Sequence, residues 1–291
     1  MQRNQIDQVR RFNRLLTRRV GALQDSYLKR GRPLSQARVI FEAGAAGGID
    51  LRDLRGRLGL DSGHLSRLLR ALEADGFVAV ARKPDDGRAR RVVLTARGRE
   101  EFAAYDRLSD RLARSMLAPL GAAQRDRLVA AMGEIERLIR AAELTVAIEP
   151  ADGEAARFCL RQYYAELEQR FETGFFAGPD DAAELAPPSG AFVVARIGGE
   201  PVGCGGLRRL AAATGEIKRV WTAPSMRGLG VASAILAKLE AIARDQGHAR
   251  LRLDTNRTLT EAHALYAGRG YREIARYNDN PYAHHWFEKR L

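Results

Sequence analysis

The first half of the chain places apolar side chains at intervals of three or four, which is the spacing of amphipathic helices. This pattern predicts one long helix over residues 5–30 and a shorter one over residues 61–75. Thr95 can cap another long helix, and the Pro-Leu-Gly run at residues 119–121 separates it from the next. The first half is therefore predicted to be mostly helical.

The second half alternates strand and helix patterns. Residues 216–221 follow the period of two expected of a strand, and Pro224 ends it. From Ala232 the apolar residues return to helical spacing, and Gly247 closes that helix. Further strands are predicted over residues 146–150, 191–197, 201–207 and 250–255, and further helices over residues 153–171 and from residue 261.

The turn between that strand and helix has the composition of an anion site. Gly228 and Gly230 lack Cβ atoms, so a ligand can approach the backbone N–H groups that are unpaired at any helix start. The helix dipole and the charge of Arg227 favour a pyrophosphate there. A glycine turn with a solvated arginine is the alternative, because short glycine motifs match often.

The motif itself excludes two nucleotide-binding patterns. No Lys-Ser/Thr pair follows the glycines, as a P-loop requires, and Ser233 stands where a Rossmann motif needs glycine or alanine. The spacing of Arg227, Gly230 and Ala232 fits R-x-x-G-x-G/A. With residues 250–255 and 261–274, the chain here resembles the GNAT superfamily of acyl-CoA-dependent N-acyltransferases. The resemblance covers about half of the chain.

The resemblance implies a direct attack of an amine on the thioester of acetyl-CoA. It suggests Glu216 as the carboxylate that takes a proton, through water, and Tyr266 as the acid that protonates the departing sulfur. It also suggests that this strand bulges and splays from the next near Val220 to Thr222, where a backbone N–H would hold the carbonyl oxygen. A surface ion pair is the alternative for Glu216, and a core aromatic is the alternative for Tyr266. An asparagine usually stands seven residues before that tyrosine, where this chain has Leu259. The residues expected to bind the cofactor are Val220, Trp221, Thr222, Arg227, Gly228, Leu229, Gly230, Val231, Ala232 and Ser233, with Asn256 as a weaker candidate.

Two aromatic segments are candidates for the acceptor pocket. Residues 171–176 form an aromatic loop that either covers the acceptor or is a satellite core, and the polar and aromatic residues 277–286 could line the same pocket. His284 and His285 are adjacent, so on a strand they point to opposite faces and are not expected to bind a metal.

Charge separates the two halves of the 291-residue chain. Residues 1–145 hold 29 Lys/Arg and 18 Asp/Glu, whereas residues 146–291 hold 19 and 18. A basic first half indicates a polyanionic partner, with nucleic acid favoured over a membrane surface. The two cysteines form no CxxC pattern, and there is no signal peptide or apolar run of about 18 residues. The sequence thus predicts a cytoplasmic protein without a disulfide framework or metal site.

The helix over residues 61–75 has the pattern of a DNA-recognition helix. Its leucines lie in one narrow arc, so small, hydroxyl and arginine residues face outward. Such a helix can enter a major groove about 12 Å wide, where arginine can read guanine. An ordinary helical bundle with a solvated face is the alternative. The outward residues expected to contact DNA are Ser62, His64, Ser66, Arg67 and Arg70.

A hairpin with a basic tip follows that helix. Residues 77–82 and 88–94 read as two strands, and such a wing can place an arginine in the minor groove. Helix, turn, helix and wing together resemble the MarR family of winged-helix transcription regulators over most of residues 5–143. The hairpin offers Arg88 or Arg90 for this contact, and the resemblance implies that Asp86 and Arg88 shape the wing tip and reach the minor groove. A winged helix that only contacts protein is the alternative.

The remaining long helices exceed what a DNA module needs. In the MarR family such helices form a dimer interface, which agrees with presenting two recognition helices about 34 Å apart on a pseudo-palindromic operator. A monomer that buries them internally is the alternative. The predicted fold is an α+β two-domain protein, with a winged helix-turn-helix and dimerisation domain over residues 1–143 and a GNAT-like mixed α/β domain over residues 144–291.

These inferences combine into one predicted function. The chain is expected to be a homodimeric regulator that binds double-stranded DNA and acetylates a small amine or a protein lysine with acetyl-CoA, without a metal. One alternative keeps the fold but makes acyl-CoA or another ligand an effector that is sensed without turnover. A second alternative is an enzyme whose winged helix serves only as a dimer module. The sequence does not identify the acceptor.

Overall fold

The computed structural model describes residues 2–83, 86–176, 182–188 and 190–291 of the chain. It divides into two compact units, Met1–Asp126 and Arg127–Leu291. The division falls inside a helix, and the domain boundary expected after residue 143 stays a prediction. Among the described residues, none of the helices combines the length and apolar character needed to cross a bilayer.

The first unit is mostly helical, with a small antiparallel sheet. Its strands are joined in the order β1-β3-β2, and β2 and β3 form the expected hairpin. Its elements are α1 (Arg3–Arg19), α2 (Leu34–Ala45), β1 (Ile49–Asp50), α3 (Leu51–Leu58), α4 (Ser62–Ala74), β2 (Val78–Lys83), β3 (Asp86–Leu94) and α5 (Ala96–Leu117), with a 3-10 turn at Tyr27–Lys29; α6 (Ala122–Ala141) crosses into the second unit.

The first helix is shorter than predicted. The apolar spacing suggested a helix to residue 30, but α1 ends at Arg19. Gly21 adopts a φ of 70°, the left-handed conformation in which helices commonly terminate. The apolar residues beyond it lie in turns, where Tyr27 still packs against the core.

The second unit is a mixed sheet covered by helices. Within the described residues its strands are joined in the order β4-β5-β6-β7-β8-β10-β9. Its further elements are β4 (Thr145–Ile148), α7 (Glu154–Arg170), β5 (Ala191–Ile197), β6 (Glu200–Ala211), β7 (Thr214–Thr222), α8 (Val231–Asp245), β8 (Arg250–Thr255), α9 (Thr260–Gly268), β9 (Arg272–Ile274) and β10 (His285–Arg290), with 3-10 turns at Ala182–Leu185 and Pro224–Met226. The fold class predicted for the two halves is confirmed.

Strand β5 shows how the two faces of this sheet are covered. Val193 and Ala195 lie in one core cluster with Ile235 and Leu239 of α8. The alternate side chain of Phe192 lies in another cluster with residues of α7. Because successive side chains of a strand point to opposite faces, the two helices pack on opposite sides of the sheet.

The sheet opens between β7 and β8, and this opening positions the candidate site. The two strands run parallel and pair from Thr214 with Arg250 to Glu216 with Arg252. Beyond that pair the described residues of β7 and β8 are no longer joined. Arg219 adopts a φ of 58°, and the register of β7 against β6 shifts at this point. A bulge at Arg219 thus turns the end of β7 away from its neighbour.

Candidate active site and nucleic-acid interface

A cavity of about 500 Å³ lies where α8 begins beside the opening of the sheet. Its volume is within the range of small-molecule sites in proteins. Most of the residues predicted to bind the cofactor line it: Val220, Trp221, Thr222, Arg227, Gly228, Gly230, Val231, Ala232 and Ser233.

The start of α8 presents unpaired hydrogen-bond donors to this cavity. The first helical bond runs from the Ala234 N–H to the Gly230 carbonyl at 2.9 Å. The N–H groups of Val231, Ala232 and Ser233 precede that bond and have no helical acceptor. Gly230 has a φ of 80° and no side chain to cap the helix. The donors and the positive end of the helix dipole together form a site for an anion.

The guanidinium of Arg227 is already paired within the chain. Its Nη2 lies 2.6 and 2.5 Å from the two carboxylate oxygens of Glu166 on α7. Trp221 donates to the same carboxylate at 3.1 Å, and Arg170 does so at 3.1 Å. Burial favours the neutral acid, but the bonds from Arg227 and Arg170 outweigh it and lower the pKa of Glu166. Arg227 thus anchors the loop to α7, in addition to lining the cavity.

Two predicted cofactor residues lie elsewhere. Leu229 packs against the core cluster under α8 and is not part of the cavity lining. Asn256 donates to the Tyr282 carbonyl at 2.7 Å and accepts from the Thr258 N–H at 2.9 Å. Its amide therefore holds the turn after β8 to the C-terminal segment, and Asn256 lines a neighbouring cavity rather than this one.

A second cavity, of about 490 Å³, adjoins the first. It is lined by parts of both aromatic segments, Phe171, Phe175 and Phe176 from one and Asn280 to Tyr282 from the other. The residues that line both cavities mark the place where they meet: Tyr163, Leu167, Val220, Leu259, Ala262 and Tyr266.

Tyr266 lies at this junction, as its predicted role requires. It is 6% exposed, and burial together with the charge of Asp254 raises the pKa of its hydroxyl. Within the described chain no protein group hydrogen-bonds to that hydroxyl. A phenol in this setting stays protonated at neutral pH and has a proton available for a neighbouring atom.

Glu216 lies beneath the site and lines neither cavity. Its side chain is 1% exposed. Arg208 Nε donates to Oε2 at 2.5 Å, and the Tyr277 hydroxyl and the Asn278 amide donate to Oε1 at 2.8 and 3.3 Å. Both oxygens are thus occupied by protein donors. The structure does not bring Glu216 together with Tyr266 in one cavity, because Arg208, Tyr277 and Asn278 enclose the carboxylate.

The predicted recognition helix has the expected polarity in the first unit. Leu65, Leu68 and Leu72 of α4 are buried, and Asp61 caps the helix by accepting from the His64 N–H at 2.8 Å. The remaining face carries the predicted DNA-contacting residues, of which Ser62, Ser66, Arg67 and Arg70 are exposed and His64 is half-buried. Contact with DNA stays a prediction.

The wing is described in part. Arg90 lies on β3 and is exposed. Asp86 and Arg88 belong to the same strand, but their side chains lie outside the described residues. Arg91, which the sequence did not single out, donates to the carbonyls of Gly47 and Gly48 at 3.2 and 3.1 Å. It fastens the hairpin to the turn after α2.

Comparison with known proteins identifies both units. The acetyltransferase (GNAT) family model matches residues 157–271, and the MarR family model matches residues 33–89. The uncharacterized N-acetyltransferase YjgM of Escherichia coli (strain K12) is 30% identical over 130 residues, which cover 42% of this chain and 78% of that protein. The chain belongs to the GNAT acetyltransferase family and carries a MarR-type domain.

Other relatives each match only one of the two domains. The uncharacterized HTH-type transcriptional regulator YdgJ of Bacillus subtilis (strain 168) is 36% identical over 81 residues, 28% of this chain and 49% of that protein. The chain thus spans about half the length of that relative. A GNAT family acetyltransferase from Elizabethkingia anophelis, solved with acetyl-CoA bound, is 18% identical, covers 51% of this chain and 99% of that one, and has a TM-score of 0.38.

The GNAT domain also contains polar residues that sequence reasoning missed. Lys218, Arg219 and Asp254 line the second cavity, and Glu166 holds Arg227. No local signal could have found Glu166, which stands 61 positions before its partner. The bulge at Arg219 left no trace in the alternation of β7. Within the described residues no group of three or more metal-ligating side chains occurs, and the expectation that no metal is bound stays a prediction.

Proposed function

We propose that the GNAT domain transfers an acetyl group from acetyl-CoA to an amine, and that the MarR-type domain binds DNA. The observation that carries the first part is that the two cavities share six lining residues, Tyr266 among them. One of them contains the unpaired donors at the start of α8, the other is open to a second molecule, and Tyr266 stands where they meet.

The residues around the first cavity fit the cofactor. Orphan N–H groups at Val231 to Ser233 suit its pyrophosphate, and the exposed edge of β7 at Val220 to Thr222 suits its amide-bearing arm. Gly228 and Gly230 have φ values of 79° and 80°, and a Cβ at either would project into open space at the loop. Acetyl-CoA supplies the activated acyl carbon: the amine nitrogen bonds to it, the C–S bond breaks, and of the two protons lost by the ammonium one ends on sulfur and one in solvent.

Tyr266 takes part in proton transfer, and Glu216, Arg227 and Glu166 position other groups. The Tyr266 hydroxyl, which its raised pKa keeps protonated, donates the proton that reaches the sulfur and then takes up one of the two protons that the ammonium loses. Glu216 is a positioning residue rather than the base first expected: it holds Arg208, Tyr277 and Asn278 under the acceptor cavity. Arg227 and Glu166 fix the loop that carries the orphan donors.

The test is turnover by the full chain. Thiol release from acetyl-CoA is measured with a panel of amines, for the wild type, Tyr266→Phe and Tyr271→Phe. Tyr271 packs edge-on against Tyr266 at 5.9 Å but lies outside both cavity linings, so it controls for loss of a nearby buried hydroxyl. Tyr266→Phe is expected to lower kcat by about 100-fold with acetyl-CoA affinity retained, and Tyr271→Phe to leave kcat within a few-fold. Tight binding of acetyl-CoA without turnover of any amine by the wild type would instead favour a sensor.

A further inference from the structure

The second cavity has an aromatic wall, which we call the aromatic cage: Tyr164, Phe171, Phe175 and Tyr282. Its rings are in mutual contact. Phe175 lies with its centroid 5.6 Å from Tyr164, 5.8 Å from Phe171 and 4.9 Å from Tyr282. A cavity bounded in this way favours a flat apolar group, since ring pairs gain from stacked and edge-on contacts beyond simple burial.

The opposite side of the cavity carries charge of both signs. Lys218 and Asp254 each stand two residues beyond Glu216 and Arg252, the last pair that joins β7 to β8. They therefore lie on the same face of the sheet, on either side of the opening. Asp254 accepts one amide hydrogen bond on each oxygen, from Asn278 at 2.6 Å and from Asn280 at 2.8 Å. These bonds fix the carboxylate and leave further lone pairs for a ligand.

The bulge in β7 adds a second cation. Four successive residues, 217–220, line the cavity, whereas a regular strand would offer alternate side chains. Arg219 has a φ of 58°, a conformation rarely adopted by a residue with a long side chain, and its guanidinium lies 5.8 Å from the ring centroid of Tyr164. Lys218 Nζ lies 3.8 Å from Glu216 Oε2. Arg219 thus stands beside the cage, and Lys218 lines the cavity with its ammonium near Glu216.

We propose that the amine acceptor is an aromatic α-amino acid, an inference that rests on the proposed transferase function. The cage holds the ring, Lys218 and Arg219 bind the carboxylate, and Asp254 binds the ammonium and accepts its first proton. Guanidinium and carboxylate match in geometry, which suits Arg219 to this role. The nitrogen is then held between β8 and Tyr266, whose pKa is itself raised in part by the Asp254 charge.

Charge and shape disfavour the other acceptors. The charged groups that line the cavity are Lys218, Arg219 and Asp254, so a plain arylalkylammonium can bind Asp254 but offers no carboxylate to Lys218 and Arg219. An amino acid zwitterion has a carboxylate for the two cations and an ammonium for Asp254. A lysine side chain of a protein has no ring for the cage, and the same holds for small aliphatic amino acids. Specificity here combines attraction for one ligand with repulsion of its analogues.

The experiment compares three acceptors that differ by one group at a time. L-phenylalanine and 2-phenylethylamine differ in the carboxylate, and L-phenylalanine and L-alanine differ in the ring. Thiol release from acetyl-CoA by the full chain is expected to give kcat/KM for L-phenylalanine at least about 10-fold above each of the others. Equal or higher values for 2-phenylethylamine or L-alanine would overturn the inference and leave the transferase proposal intact.

Variants that remove one cation each test whether Lys218 and Arg219 bind the carboxylate of the acceptor. Lys218→Met keeps an apolar stem, and Arg219→Asn places at a positive φ a residue that tolerates it. Each is expected to lower kcat/KM for L-phenylalanine by about 10-fold, mainly through KM, with 2-phenylethylamine unchanged or improved. Lys238→Met removes an exposed cation of α8 and is the matched control. Equal losses for both acceptors would contradict carboxylate recognition.

A binding measurement separates the two proposals. If no amine is acetylated, the transferase proposal fails. Calorimetric titration of L-phenylalanine into the CoA-saturated chain then still tests whether the second cavity binds an aromatic amino acid. Saturable binding that is at least about 10-fold weaker for 2-phenylethylamine and for the Lys218→Met variant supports it. Absence of binding, or equal affinity for the two ligands, overturns it.

Discussion

At the scale of single residues, the contact between Glu166 and Arg227 joins the cofactor loop to the rest of the GNAT domain. The pKa of Glu166 is lowered in the folded state, so the unfolded chain binds the proton more readily. The stability that this group contributes is therefore fully present above the ordinary glutamate pKa of about 4.3 and is lost as the pH falls through the lowered value.

We expect Glu166→Gln to lower the free energy of unfolding at pH 7 by about 1–3 kcal/mol, because it leaves Arg227 and Arg170 without their common carboxylate. The wild type should lose stability more steeply than the variant between pH 5 and pH 3. Denaturant titrations at several pH values measure both. Parallel pH profiles would show that the pair contributes no pH-dependent stability. Glu172→Gln, which removes an exposed ion pair with Arg257, is the control and should change stability little.

Sequence reasoning predicted local structure correctly where it depends on near neighbours along the chain. The turn around Gly228 and Gly230, the helix that follows, and the place of Tyr266 follow from local spacing and from the GNAT resemblance. It failed for Glu216, which was expected to face the cleft. Alternation along β7 assigns a face to each side chain, but it does not reveal that Arg208 and Tyr277 arrive from other elements to enclose that carboxylate.

At the scale of elements, the site depends on the part of β7 and β8 where the two strands are not hydrogen-bonded to each other. Their pairing ends at Glu216, and the bulge at Arg219 costs about 1–2 kcal/mol in backbone strain, which the surrounding sheet sustains. The result is an opening with Lys218 on the β7 side and Asp254 on the β8 side. The alternation of β7 does not reveal this bulge, because a bulge inserts one residue without changing composition. The GNAT resemblance suggested a bulge near Val220 to Thr222, and the shift of register lies between Lys218 and Trp221.

Helix α4 is the element on which DNA binding by the MarR-type domain can be tested. Arg67→Ala and Arg70→Ala are expected to weaken binding to the operator, each by about 10-fold at moderate salt, because both arginines are exposed on the face opposite the buried leucines. Fluorescence anisotropy with a labelled upstream fragment measures the affinity, and its dependence on salt counts phosphate contacts. Arg244→Ala, an exposed arginine of α8, is the control. Unchanged affinity in both α4 variants would favour a winged helix that contacts only protein.

At the scale of the whole molecule, α1 leaves an apolar stripe uncovered. Ile6, Val9, Phe12, Leu15 and Leu16 are 36–58% exposed. Contiguous apolar surface of this kind marks an interaction site, and a homodimer joined in part by this helix would bury it. This agrees with the dimer implied by the MarR resemblance, which stays a prediction.

Sedimentation at micromolar concentration tests the dimer. The wild type is expected to sediment as a dimer and Val9→Asp as a monomer, since a buried, unpaired carboxylate at an interface is costly. Gln8→Asp introduces the same charge at the adjacent position and should leave the dimer intact. A monomeric wild type, or a dimeric Val9→Asp, would remove α1 from the interface.

The central claim is that the backbone at the start of α8 binds the pyrophosphate of acetyl-CoA, and a pair of glycine variants tests it directly. Gly230 and Gly247 stand at the two ends of α8 with φ values of 80° and 78°, and an added Cβ at either meets no protein atom within 4 Å. Alanine should therefore cost similar backbone strain at both positions, while only Gly230→Ala alters the donor loop. In calorimetric titrations we predict that Gly230→Ala weakens acetyl-CoA binding at least about 10-fold, or about 1.4 kcal/mol, and that Gly247→Ala leaves it within about twofold. Equal affinity of the two variants for acetyl-CoA would contradict the account.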